Sequence, residues 1–203
     1  CNIPSLLLIF CTTDNNLEQF IHQDLYELTL SSAVKEPSLT TCVSFDARNL
    51  GTDLNITDPI PVVFNKDGTP LTAKYEGRSY FRWDHALEKL VVDTILLGEQ
   101  DSDSKSTVVN FLTHALLTDC VAQGAQEYMF ILSSHGGGYA GFGGHEFQVR
   151  QRRLAQSNLS ILGGIQIALA SVAGAPARLD VLGFDSCLML AVGALNEYRE
   201  VTK

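Results

Sequence analysis

Residues Glu127 to Gly144 read EYMFILSSHGGGYAGFGG. The apolar run Tyr128–Leu132 is short, partly aromatic and β-branched, and stopped by polar residues, which predicts a buried strand. His135 stands just past it, and Gly136, Gly137 and Gly138 follow at once. In an open α/β sheet, ligands bind outside the carboxyl ends of the strands. A glycine run there lets the backbone come close to a substrate and point N–H groups at it. A second stretch matches the first. LDVLGF, Leu179–Phe184, predicts another buried strand, followed by Asp185, Ser186 and Cys187 and then an apolar helical pattern from Leu188. A His and a Cys therefore each stand at the carboxyl end of a buried strand. A thiolate nucleophile and its acid–base partner need that placement, fixed by a rigid element yet open to a cleft. A helix N-terminus beside Cys187 would favour the thiolate. Asp185, two residues before Cys187, has two readings: a helix cap, or a carboxylate on a pocket floor that selects a basic side chain.

Working outward, Ser5–Cys11 predicts the first strand, and Asp14, Asn15 and Asn16 a turn and helix cap. Leu17, Phe20, Ile21, Leu25 and Leu28 form a one-sided stripe on a helix reaching about Leu30. Leu39–Phe45, closed by Asp46, predicts a second strand. This βαβ unit implies parallel pairing through a right-handed crossover. The segment 49–83 is rich in Asp, Thr, Pro and Gly and reads as a hairpin-like insertion, with Asp67-Gly68 as a turn. Leu87–Leu97 is mixed in pattern. Asp103 or Ser104 is placed to cap a helix over Thr107–Val121, and Ile161–Val172 carries a further helical stripe. Another helix is expected over Leu188–Arg199. Between the two candidate strand ends, 145–158 is a polar loop in which Arg150, Arg152 and Arg153 lie close together.

At 203 residues, 45% of them hydrophobic and 18% charged, the chain can bury a full core and reads as one domain spanning 1–203. A formal charge of −9 argues against non-specific nucleic-acid binding, which needs a basic face. The five cysteines, Cys1, Cys11, Cys42, Cys120 and Cys187, include no CxxC pair, so neither a zinc ribbon nor a redox pair is expected. Cys11, Cys42 and Cys120 lie in apolar or helical runs, where a buried inert thiol is the plain reading. No stretch is long enough for a membrane span. Ile3–Cys11 is apolar but has no basic region before it, so it reads as a strand rather than a signal peptide. Compartment and oligomeric state are not legible.

SSHGGGYAGFGG followed by LDVLGFDSCLM resembles the clostripain family of cysteine peptidases, relatives of caspases, gingipains and legumain. TTDNNLE after the first strand and LLGEQDSDSKSTVVNFL before the His strand extend the resemblance. It implies a caspase-like α/β/α sandwich with a mainly parallel central sheet. It implies His135 as the catalytic histidine, Cys187 as the nucleophile, and Asp185 as the acidic residue that helps bind Arg or Lys before the scissile bond. It also implies self-cleavage at a basic residue in the loop between His and Cys, which points to Arg150, Arg152 and Arg153. The chemistry needs no cofactor and no metal, although some members respond to calcium. Members continue past the Cys helix with strands that complete the pocket wall, so the domain is expected to be truncated at its C-terminus.

The expected reaction is acyl transfer to Cys187 from peptides or proteins with Arg or Lys before the cut. The Gly136 N–H, with that of Cys187, is expected to hold the oxyanion. Two other readings stand beside it. One is a caspase-like binding protein impaired in catalysis. The other is a lipase-like α/β-hydrolase, because HGGG also marks an oxyanion loop. For that, Gly183–Cys187 is a poor elbow with Cys in place of the last Gly, and no triad acid and His can follow before Lys203.

Overall fold

Alternation along one strand separates two cores. In β1 (Ser5–Thr12), Leu6, Leu8 and Phe10 are buried in one cluster, while Cys11 is buried in another with Ile9 packed beside it. Side chains of successive strand residues leave opposite faces, so β1 must be covered on both sides. The structure is a computed structural model. It describes residues 4–12, 17–47, 63–71, 77–96, 104–120, 124–135, 142, 158–186 and 192–203.

One face is covered by α1 (Glu18–Leu30), whose Ile21 and Leu25 pack with Val43 and Phe45 of β2 (Leu39–Ala47). The other face is covered by α2 (Lys105–Ala115), α3 (Asn158–Ser171) and α4 (Val192–Tyr198), with Phe111, Ile165 and Tyr198 in the cluster under Leu8 and Phe10. The result is an α/β/α sandwich. Ser104 caps α2, accepting a hydrogen bond from the Thr107 N–H at 3.2 Å. A π-helical turn, Leu116–Cys120, follows α2. At Gly164 in α3, a Cβ would lie 3.3 Å from the Lys105 carbonyl and from Val108, so this glycine sets how closely α2 and α3 approach.

The sheet has seven strands among the described residues, in the order β3-β5-β4-β2-β1-β6-β7. The remaining strands are β3 (Val63–Phe64), β4 (Gly77–Asp84), β5 (Lys89–Ile95), β6 (Glu127–Ser133) and β7 (Val181–Asp185). β2, β1, β6 and β7 are mutually parallel. The chain runs outward from β1 to β2 through α1, and outward in the other direction from β6 to β7 through α3. Right-handed crossovers in opposite directions place the helices on opposite faces and open a crevice where the order reverses.

Of the hairpin-like insertion expected at about 49–83, residues 49–62 and 72–76 lie outside the described residues. The rest joins the main sheet. β4 pairs antiparallel with β2 and with β5, and β3 pairs parallel with β5. The Asp67-Gly68 turn is present. Gly68 has φ +80°, and the Asp67 carboxylate accepts from the Thr69 N–H at 2.9 Å. Leu87–Leu97, mixed in the sequence, supplies β5. Beyond α4 the chain returns to β7's side of the sheet. Leu179 N–H donates to Val201 O at 2.8 Å and Lys203 N–H to Leu179 O at 2.9 Å, a parallel bridge.

Candidate active site

The register Ser133↔Asp185 sets the ends of β6 and β7 side by side, about 4.8 Å apart as neighbouring strands are. In the sequence, His135 and Cys187 each stand two residues beyond that pair. His135 follows β6 and is half-buried. Asp185 ends β7 and is exposed. Cys187, Gly136, Arg150, Arg152 and Arg153 lie outside the described residues, as do 188–191, where the last helix was expected to begin.

A cleft of ≈ 430 Å³ opens at this edge. Its floor is Ser133 and Ser134 from β6 with Phe184, Asp185 and Ser186 from β7, and its wall is Leu17, Phe20, Ile21 and Asp24 of the first turns of α1. The Asp185 carboxylate accepts from Ser133 Oγ at 2.8 Å through Oδ2. Ser134 Oγ donates to Thr12 O at 2.7 Å, and the Ser134 N–H donates to Asp185 O at 3.3 Å. Asp185 thus offers an exposed anionic group on a rigid strand end, in a cleft with apolar sides. Such a surface suits a long side chain with an apolar stem and a cationic head.

Asp24 is a second carboxylate in the cleft that the sequence reading passed over. Its pKa is raised, first by burial, then by the charges of Asp185 and Glu27. The signal was present. Leu17, Phe20, Ile21 and Asp24 fall at i, i+3, i+4 and i+7, one face of a helix. Three of them read as core stripe, yet Phe20 is 58% exposed because this face looks into the cleft. Ser133 and Ser134 gave no signal beyond ending the apolar run.

Cys11 and Cys42 are both buried thiols. Burial pushes the Cys11 thiol up to about 12, against the lowering charge of Arg78 and with smaller raising effects from Asp185 and Asp24. It is an inert thiol, as the sequence suggested. Among the described residues, no group of three or more His, Cys, Asp or Glu is placed to hold a metal ion, and no helix is long and apolar enough to cross a membrane.

The fold is shared with solved cysteine proteases. A secreted C11 cysteine protease from Bacteroides thetaiotaomicron, solved with an irreversible peptide inhibitor, superposes with TM-score 0.65 at 17% identity, covering 98% of this chain and 46% of that one. A second structure of a secreted C11 protease from that organism, "iotapain", gives TM-score 0.66 at 12% identity and covers 100% and 51%. An inactive zymogen C11 protease from Parabacteroides distasonis gives 0.60 at 15%, covering 100% and 47%. At such identities the likeness carries the fold alone. The chain spans about half the length of these solved relatives. No curated protein sequence matches it. The pattern of the Clostripain family matches residues 9–203, nearly the whole chain. A mainly parallel α/β/α sandwich, with the strand that ends just before His135 beside the strand that ends at Asp185, and this match over 9–203 make the chain a member of the Clostripain family.

Proposed function

We propose that the chain is the catalytic domain of a cysteine endopeptidase that cleaves after Arg or Lys through Cys187 and His135. The observation that carries the reading is the exposed Asp185 carboxylate, on the floor of the cleft where β6 ends ahead of His135. The Cys187 thiolate attacks the carbonyl carbon after the basic residue and forms a C–S bond. The negative charge on the carbonyl oxygen is held by the N–H groups of Gly136 and Cys187. As the C–N bond breaks, His135 gives a proton to the leaving amine. Water then attacks the thioester, passing a proton to His135 and releasing the acid and the thiol. In this reading Asp185 pairs with the guanidinium or ammonium of the substrate, and Phe20 and Phe184 flank its stem.

Self-cleavage after Arg150, Arg152 or Arg153 belongs to the same proposal. In the sequence the loop carrying them follows His135, and its arginines are the side chain the cleft suits. An uncut loop lying across the cleft would hold the chain inactive until removed. The acyl transfer needs no cofactor. Membership in the Clostripain family sets the lipase-like reading aside.

The test is hydrolysis of Arg, Lys and Leu peptides by the full chain, with mass spectrometry of the protein itself. Cleavage of basic peptides and a new terminus after one of the three arginines are expected, with both lost in Cys187→Ala and the first lost in His135→Ala. Equal turnover of Arg and Leu peptides would refute the specificity. Equal nicking of Cys187→Ala would assign the cut to another protease. No turnover by a folded wild type would favour the binding-protein reading.

A further inference from the structure

We propose that Ser133 and Ser134 form a two-sided clamp that fixes the His-bearing end of β6 against both neighbouring strands, making Ser134 a positioning residue for His135 and Ser133 one for Asp185. The proposal rests on the reading of His135 and Asp185 given above. Consecutive hydroxyls reach opposite neighbours. Ser133 Oγ donates across to the Asp185 carboxylate of β7 at 2.8 Å, and Ser134 Oγ donates to the Thr12 carbonyl of β1 at 2.7 Å. Both serines are buried, at 4% and 2% exposure. The Ser134 N–H adds a third bond, to Asp185 O at 3.3 Å.

Backbone pairing of β1 with β6 stops at Cys11↔Ser133, and pairing of β6 with β7 stops at Ser133↔Asp185. Beyond that line the ladder would leave the chain free to fray just before His135. The serine bonds carry the pairing one residue further on both sides. The strand they reach is itself anchored, because the carbonyl before Thr12's, that of Cys11, accepts from the buried Arg78 guanidinium at 3.2 Å. A hydroxyl is the group that can do this. It is small enough to bury at a strand end and donates without bringing a charge. Since a displacement of about 1 Å at a catalytic group can cost roughly a hundredfold in rate, losing the β1 anchor should act on turnover rather than on substrate capture.

The experiment is steady-state kinetics of the full chain on an Arg peptide, with thermal melts, for wild type, Ser134→Ala, Ser134→Thr, Ser133→Ala and His135→Ala. Ser134→Ala is expected to lower kcat roughly 10- to 100-fold with KM within about twofold. Ser134→Thr, which keeps the hydroxyl, should recover most of the rate. Ser133→Ala should act mainly through KM, raising it roughly 3- to 10-fold as the Asp185 carboxylate loses its fixed orientation. If Ser134→Ala stays folded and turns over like wild type while His135→Ala is dead, the clamp is wrong and the assignment of His135 stands. Should His135→Ala turn over like wild type, the assignment of His135 falls first, and the clamp with it. If Ser134→Ala melts early, the Ser134→Thr result decides: a stable but equally slow threonine variant overturns the proposal.

Discussion

Two carboxylates stand at strand ends on the same edge of the sheet, and their fates differ. Asp46, near the end of β2, is 4% exposed. It is paired with Arg78 of β4, Oδ2 to Nη2 at 3.3 Å. Arg78 is itself fully buried, donating to Ser44 Oγ at 2.6 Å and lying 4.3 Å over the Phe10 ring. Burial presses the guanidinium pKa down, and Asp46 pulls it back up. Asp185, at the end of β7, is exposed, and among the described residues its carboxylate is bonded only to a hydroxyl. One half of the edge therefore completes its ion pair from within the chain and seals it. The other half leaves the anion in an open cleft, where the proposed substrate supplies the cation. The same residue type serves architecture in one place and, in the proposed reading, recognition in the other, and what separates them is whether the fold brings its own arginine.

The contrast is broken most severely from the sealed side. Arg78→Met strands the buried Asp46 charge and should cost about 3–5 kcal/mol in urea unfolding. Adding Asp46→Leu should recover most of the loss, because a buried pair replaced whole by apolar groups is nearly neutral. If the double variant is no better than the single one, the pair is not the coupled unit described here. Next comes alkaline stability. The Cys11 thiol, which ionises near 9.0 when unfolded and at about 12 when folded, binds more protons in the native state between those values. Stability is then unaffected below pH 9 and falls as pH rises toward 12, by at most about 4 kcal/mol. Cys11→Val should flatten that fall in melts taken across the range, and a flat wild-type profile would contradict the buried placement. Asp185→Asn, on the open side, should leave the urea midpoint in place. It should lower kcat/KM for Arg peptides roughly ten- to a hundredfold, the worth of a charge-assisted hydrogen bond of about 1.5–3 kcal/mol. A large loss of stability instead would make Asp185 a second Asp46. The smallest effect is at the exposed Lys203–Asp180 pair, 2.6 Å apart. The hydrogen bond from Lys203 holds the Asp180 carboxyl below its usual range, helped by the Tyr128 N–H. That stability is present above pH 3.8 and is lost as pH falls. Lys203→Ala should remove under about 1 kcal/mol of it, read as a slightly shallower acid limb.

The parallel half of the sheet was legible because its strands are short apolar runs bounded by polar stops, and because a helical stripe follows β1 directly. The sealed half was harder to read. Arg78 sits in a polar stretch, where a charged residue reads as solvated, and only the pairing of β4 with β2 brings it to Asp46. The register of β4 against β5 slips between Tyr80 and Phe81, which helps explain why Leu87–Leu97 showed no clean alternation. The strand-end positions of His135 and Asp185 were legible, because each follows or closes an apolar run. Asp24 was not, because a helical stripe looks the same whether it meets a core or a cleft. Ser133 and Ser134 were not, because a serine's role depends on which carbonyl or carboxylate the fold places opposite it.

The two cores also differ in how much of the chain they require. Among the described residues, the cluster under α1 draws on residues from Ile9 to Val92, and the Arg78–Asp46 pair lies within that span. The cluster on the opposite face reaches from Leu6 to Val201. Chains fold from the N-terminal side as they leave the ribosome. The sealed wing can thus be complete before β6 has been made, with a head start on the order of seconds. For that interval Leu6, Leu8 and Phe10 present an uncovered apolar face, waiting for α2, β6 and α3. The strand against which β6 will pair is set in place before β6 or β7, whose ends floor the cleft, exists.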